Sequence, residues 1–178
     1  MELWDVFDKN RNFTGRIIQR EKDEPLTDDE YTLFVRAAFF NDQDEMLIQK
    51  RQSNNSIYPN LWDFTCTSHQ LSGETSQEAI ARAMTEELGL NLNFDDDIPN
   101  ITIVRPHVFT DYYVVKNIEI DINNIRISGN HVQSITWANK DEIFQLIDEG
   151  KFVNYTKSLI DFLFFLKNSN GAVINNGN

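Results

Sequence analysis

Two adjacent carboxylates, Glu86 and Glu87, follow Arg82 closely in the stretch GETSQEAIARAMTEELG, Gly73–Gly89, and a third acid, Glu74, stands just ahead of them. Neighbouring carboxylates partly shielded by a core are costly unless something cationic neutralises them. A hard cation such as Mg2+ or Mn2+ does so through oxygen ligands, and its remaining coordination sites accept phosphate oxygens or water. Arg82 lies four residues from both Glu78 and Glu86, so pairing with either is sterically open to it.

The element that must position these groups is marked at both ends. Thr75 caps the first turn and Glu78, at the third helical position, completes a capping box. Gly89 suits the left-handed residue after the last turn. Ile80, Met84 and Leu88 recur every four residues as a buried stripe, so the sequence predicts a helix over Ser76–Leu88. At about 100° per residue, positions 83, 86 and 87 fall on one face, with Ala83 between the two acids.

Around this helix the pattern alternates short apolar runs with polar turns. Residues 3–7 and 14–20 flank DKNRN and read as an N-terminal hairpin. Further strands are expected at 31–40, 46–50, 62–67, 101–105, 108–116 and 132–138. Asn139 with Glu142 opens a second helix that ends at Gly150, and a third covers 156–167. Mixed strands with three helices predict an α/β sandwich over 1–168 as a single domain, with the Asn- and Gly-rich segment 169–178 as a frayed tail. The apolar Leu159–Leu166 should pack on the sheet or form a homodimer contact; packing is the default.

Composition sets the frame. The chain has 178 residues, 40% of them hydrophobic with 13 Phe and 3 Trp, enough for one packed core. With 28 acids against 16 bases the net charge is −12, which argues against binding a nucleic acid polymer or an anionic membrane. An anionic small molecule would need a divalent cation and a few local Arg or Lys side chains. The single Cys66 excludes an internal disulfide and fits a reducing cytoplasm. The first residues carry no basic segment followed by an apolar run, so a soluble cytoplasmic protein is expected.

The spacing of Glu74, Arg82, Met84, Glu86, Glu87, Gly89 and Leu90 resembles the Nudix box, G-x5-E-x7-R-E-U-x-E-E-x-G-U. The chain departs from that box twice: Ser68 stands for its opening glycine, and Ala83 for the first glutamate after the arginine. LIQKRQSNNSIYPNLWDFT and SITWANKDEI resemble a bacterial branch of the superfamily related to isopentenyl-diphosphate isomerase. The resemblance implies a Nudix-type α/β/α sandwich whose box helix binds Mg2+ or Mn2+ and a small-molecule diphosphate. By position, Glu86 and Glu87 match metal ligands, Glu74 a ligand or support, and Arg82 the arginine that braces them. Activity on a nucleoside diphosphate linked to another moiety, or a similar organic diphosphate, is the function implied. Because the position of Ala83 commonly carries both a ligand and a candidate base, the alternative is a nucleotide-binding module with weak or no turnover. Asp111 and Glu119 are candidates to make up the missing acid.

Other side chains carry weaker signals. Arg51 matches an arginine that often meets substrate phosphate, a task its fork suits. Arg36 lies mid-strand in an apolar run and faces either a cleft, where it would meet substrate, or solvent; solvent is the plainer reading. In the isomerases a catalytic Cys falls on the position of Thr67, while Cys66 sits one residue away and therefore on the opposite strand face. Isomerase activity is thus disfavoured, and Cys66 reads as a buried apolar residue. His69 sits where that isomerase-like branch also carries a His, one that would help bind metal in an isomerase; His107 and His131 read as loop or strand-end residues, and Tyr58 and Trp62 as loop packing rather than base stacking.

Overall fold

The computed structural model describes residues 2–22, 24–116, 120–127, 129–170 and 173–174. In the DKNRN spacer the Asp8 carboxylate accepts from the backbone of Asn10 and Asn12, and Arg11 takes left-handed backbone at φ 64°. That reversal joins β1 (Leu3–Phe7) to β2 (Phe13–Gln19) in the expected antiparallel hairpin. Two contacts tie the hairpin to the body. Phe7 and Tyr31 exchange backbone hydrogen bonds, and Asp5 accepts from Ser72 Oγ at 2.6 Å and Gly73 N at 2.9 Å.

Seven strands make one mixed sheet: β3 (Thr32–Phe40), β4 (Glu45–Arg51), β5 (Trp62–Asp63), β6 (Cys66–His69), β7 (Ile101–Arg105), β8 (Val108–Val115) and β9 (Val132–Asn139). β3 is the pivot. It runs parallel to β8, pairs antiparallel with β6 over Phe34–Ala37, and meets β4 only at Phe39 and Phe40. β4 then continues beside β9 and β5. The sheet therefore opens as a fork, with β3 and β6 on one side and β4 and β5 on the other. Thr65 pins its base, accepting from Phe39 N and donating to the Leu47 carbonyl. The single strand expected over 62–67 is two strands for this reason: the chain crosses the fork at Phe64 and Thr65 and changes partner.

Strand alternation assigns the two faces. Leu33, Val35, Ala37 and Phe39 pack under α1 (Ser76–Leu88) in one apolar cluster. Ala38, Phe40, Met46 and Ile48 pack under α2 (Lys140–Asp148) and α3 (Lys157–Lys167) in the other. This is the α/β sandwich that the pattern predicts. Both capping boxes form, Thr75 with Glu78 and Asn139 with Glu142. Gly89 has φ 65°, and a Cβ there would stand 3.0 Å from the Arg126 carbonyl, so the αL cap and the close approach both call for glycine. α3 buries Ile160, Leu163 and Leu166 against the sheet, leaving Phe162 and Phe165 stacked on its outer side. Within the segment expected to fray, β10 (Ser169–Asn170) pairs with β11 (Val173–Ile174). Among the described residues no helix is long and apolar enough to cross a membrane.

Candidate active site

A cavity of about 510 Å3 fills the fork. β3 supplies Arg36, β4 Gln49 and Arg51, β5 Asp63, β6 Thr67, and α1 Glu86 and Glu87. The sequence-expected acids on α1 and the arginines on β3 and β4 thus share one chamber.

Arg82 organises the acids. Its Nε lies 2.6 Å from Glu74 Oε1, its Nη2 3.0 Å from Glu74 Oε2, and its Nη1 3.0 Å from Glu86 Oε2; Nη2 also donates to the His69 carbonyl at 2.9 Å. Glu78, the other acid within reach in sequence, instead accepts from Thr75 N to close the cap. Glu74 Oε2 also accepts from Leu71 N, so both oxygens of Glu74 are taken and it does not line the cavity. Asp5 of β1 holds Gly73 next door, so the hairpin and Arg82 together fix the loop that leads into α1.

Glu87 points the other way, onto β6 and β4. Gln49 Nε2 donates to its Oε2 at 2.8 Å. Burial pushes its carboxyl up to about 7, although Gln49, the Cys66 thiol and Thr67 N–H all donate to it. Gln49 Oε1, beside it, is sealed from solvent and has no hydrogen-bond partner among the described residues. Glu86 is half exposed at the cavity mouth. Ala83 does not share an open surface with these two acids. It is 1% exposed and packed in the apolar cluster with Ala79, Ile80 and Met84, because the buried arc of α1 is wider than the four-residue stripe suggests. Among the described residues no group of three or more His, Cys, Asp or Glu side chains comes together as a metal cage.

Two expectations are corrected here. Arg36 does not face solvent: it lies on the face of Phe34, Ala38 and Phe40, where the α2–α3 layer gives way to the cavity, and it is 9% exposed. Asp111 is no spare catalytic acid. Fully buried, it receives Arg11 through both guanidinium Nη atoms, Thr102 Oγ1 at 2.6 Å and Ser76 Oγ at 2.6 Å, away from the cavity. Glu119 lies outside the described residues.

Arg51 ends β4 with a fixed side chain. Its Nε donates to the Ile57 carbonyl at 3.1 Å and its Nη1 to Asp63 Oδ2 at 3.0 Å. Asp63 is buried, which raises its carboxyl despite Arg36 and Arg51, and its Oδ1 accepts from Phe64 N and the Tyr155 hydroxyl. Asp63 is a charged residue between the apolar Trp62 and Phe64, the one signal that could have marked it in the sequence, whereas Gln49, followed by Lys50 and Arg51, had no such signal. Tyr155, from the loop before α3, carried none. Thr67 turns into the cavity while Cys66 turns into the apolar cluster, as their alternation requires, and burial raises the thiol well above its usual range. His69 lines the cavity stacked 3.9 Å from Trp4 of β1 and edge-on to Phe34; burial holds it down to about 3, so it stays neutral. His107 makes the β7–β8 turn at φ 64°, and Tyr58 is an exposed residue at the cavity wall.

A family model described as the NUDIX domain matches residues 31–159. An uncharacterised Nudix hydrolase of Listeria monocytogenes is 31% identical over 169 residues, spanning 95% of this chain and 97% of that protein. An isopentenyl-diphosphate Delta-isomerase of Haloarcula marismortui is 27% identical over 107 residues, 60% of this chain and 55% of that one. Among solved structures, a Deinococcus radiodurans protein superposes with a TM-score of 0.71 at 20% identity, covering 91% of this chain and 97% of its own. The fold, the box residues and the full-length relative agree: the chain belongs to the Nudix family of pyrophosphohydrolases.

Proposed function

We propose that the protein hydrolyses an organic diphosphate, of the class in which a nucleoside diphosphate is linked to another moiety, and that it depends on Mg2+ or Mn2+. The observation that carries this reading is the meeting of Glu86 and Glu87 with Arg36 and Arg51 in one cavity of about 510 Å3, a volume typical of small-molecule sites. Carboxylates and guanidiniums line it together, as a substrate bridged to a cation requires.

The residues fit a divalent ion. Glu87 is a carboxylate held in a setting that disfavours its charge, and the buried Gln49 Oε1 beside it lacks a hydrogen-bond partner among the described residues; a hard cation relieves both. Two carboxylates suffice for Mg2+, which commonly takes its other oxygens from water and substrate phosphate. Glu86 and Glu87 would hold the ion; bound there it neutralises diphosphate charge and activates water. Arg82, braced by Glu74, fixes the direction of the Glu86 carboxylate, so Glu74 acts as a support. Arg51, locked by Ile57 and Asp63, presents a fixed positive charge to a phosphate oxygen and loses little freedom on binding. Thr67 stands where an isomerase thiol would be, so the thiol that allylic proton transfer needs at that position is missing.

The test is phosphate or nucleotide release from a panel of nucleoside diphosphate derivatives with and without Mn2+, using wild type and Glu87→Gln. Turnover that requires the metal and collapses in Glu87→Gln supports the reading. A second reading, a binding module without turnover, is favoured by one observation: Ala83 is sealed in the core, so the usual acid has no counterpart on that face. Wild type that binds a dinucleotide in calorimetry yet releases nothing from any member of the panel would establish it.

A further inference from the structure

Arg36 is the most unusual charge in the molecule. Its guanidinium sits 4.7 Å from the Tyr155 ring centroid, 4.9 Å from that of Phe34, 5.7 Å from that of Phe64 and 5.9 Å from that of Tyr112. Aromatic faces soften the cost of burying a cation but accept no strong hydrogen bond. Its Nε and Nη1 are sealed from water and find no hydrogen-bond partner among the described residues. Asp63, the carboxylate that approaches it, lies 3.8 Å from Nη1, too far for a hydrogen bond, and is already engaged by Arg51, Tyr155 and Phe64 N. The 10% of the side chain that remains accessible belongs to a residue lining the cavity.

Charge bookkeeping narrows what would complete it. Of the arginines lining the cavity, Arg20 pairs with Glu2, Arg82 with Glu74 and Glu86, and Arg51 with Asp63. Arg105, at the rim on β7, has no carboxylate within 4.0 Å among the described residues, and its charge repels that of Arg36 across Tyr112. Around Arg36, the single carboxylate of Asp63 thus faces three guanidiniums, those of Arg36, Arg51 and Arg105, and the local surplus close to two positive charges matches a phosphomonoester, about −1.5 to −2 at neutral pH. A neutral base would leave that surplus unopposed, and a single carboxylate would cancel half of it.

We propose that Arg36 and Arg105 form a phosphomonoester subsite, so that the substrate carries a phosphate group separate from the diphosphate that is cleaved. The cage of Phe34, Phe64, Tyr112 and Tyr155 holds the Arg36 fork rigid and dry, and the phosphate supplies the acceptor that the fold withholds. The inference rests on the hydrolase reading for what happens to the substrate, whereas the subsite itself is tested without metal or turnover.

Inorganic phosphate is titrated calorimetrically into metal-free wild type, Arg36→Met, Arg36→Lys, Arg105→Met and Glu87→Gln. Wild type should bind one phosphate, Arg36→Met should lose about tenfold or more in affinity, as expected for charge-assisted hydrogen bonds, and Glu87→Gln should bind as wild type. Arg36→Lys, which keeps the charge and loses the fork, should fall between. Should Arg36→Met not fold, Arg105→Met, which leaves the cage intact, must show a loss of several-fold or more. Wild-type affinity in Arg36→Met or, if that variant does not fold, in Arg105→Met, would overturn the subsite. So would phosphate binding that disappears in Glu87→Gln. Absent hydrolysis with intact, Arg36-dependent phosphate binding would instead count against the hydrolase reading alone.

Discussion

Glu87 and Glu86 are adjacent in sequence and differ in kind. Glu86 is half exposed and already paired with Arg82, so it contributes a ligand at little cost. Glu87 is held among donors in a buried setting that still raises its carboxyl to about 7, so the metal-free fold carries a penalty there. Glu87→Gln should therefore melt no lower than wild type at pH 8 without metal, yet lose the rise in melting temperature that Mn2+ gives wild type. Scanning calorimetry with and without Mn2+ checks this, and an undiminished Mn2+ shift in the variant would remove Glu87 from the metal site. His69 gives a pH prediction of definite sign. Its folded value of about 3 lies below the ordinary 6.5, so between them the unfolded chain binds more protons and stability falls as pH falls. From pH 6.5 to pH 5 wild type should lose about 2 kcal/mol more than His69→Phe in urea unfolding, at about 1.4 kcal/mol per unit. Parallel losses would show that His69 takes up its proton while folded.

At the scale of elements, the N-terminal hairpin emerges as part of the site. β1 supplies Trp4, which stacks on His69, and Asp5, which holds the loop ahead of α1; the turn supplies Arg11, which reaches Asp111. Arg11→Met strands a buried carboxylate beside hydroxyls alone and should cost about 3 kcal/mol, whereas adding Asp111→Asn should recover most of it. Urea unfolding of the two single variants and the double measures this; equal destabilisation of Arg11→Met and the double would mean Asp111 bears no unpaired charge. The hairpin, both capping boxes and the bounds of α1 were legible in the sequence because local chemistry dictates them: a polar reversal at DKNRN, Thr75 with Glu78, Gly89 after Leu88. The fork was not. Nothing local tells residues 62–69 to pair first with β4 and then with β3, since that change of partner is a property of the whole sheet.

For the whole molecule, the fork decides which side chains become functional. Strand alternation alone put Arg36 on the α2–α3 face; the gap in that layer turns the face into a cavity wall. Arg51 and Glu87 could be located by the spacing of the box and its flanks, while Asp63, Tyr155 and Arg105 join them only through tertiary contacts at long sequence separation. Ala83 shows the opposite failure: a helical wheel counts angles, but the packed sheet decides which arc is sealed, and it seals Ala83. A chain of net charge −12 thereby holds a chamber lined by five arginines and four acids, suited to an anion that arrives with a cation.

Hydrolysis of a diphosphate at Glu86 and Glu87 in this chamber is the proposal on which the other residue roles depend. Its most direct test is kcat on the best diphosphate of the panel with Mn2+ for wild type, Glu87→Gln and Asp111→Asn. Glu87→Gln should fall by about a hundredfold or more, the scale of losing an electrostatic catalytic group, while Asp111→Asn stays within about threefold of wild type. Undiminished kcat in Glu87→Gln, or a collapse in Asp111→Asn of a protein that remains folded, would contradict it.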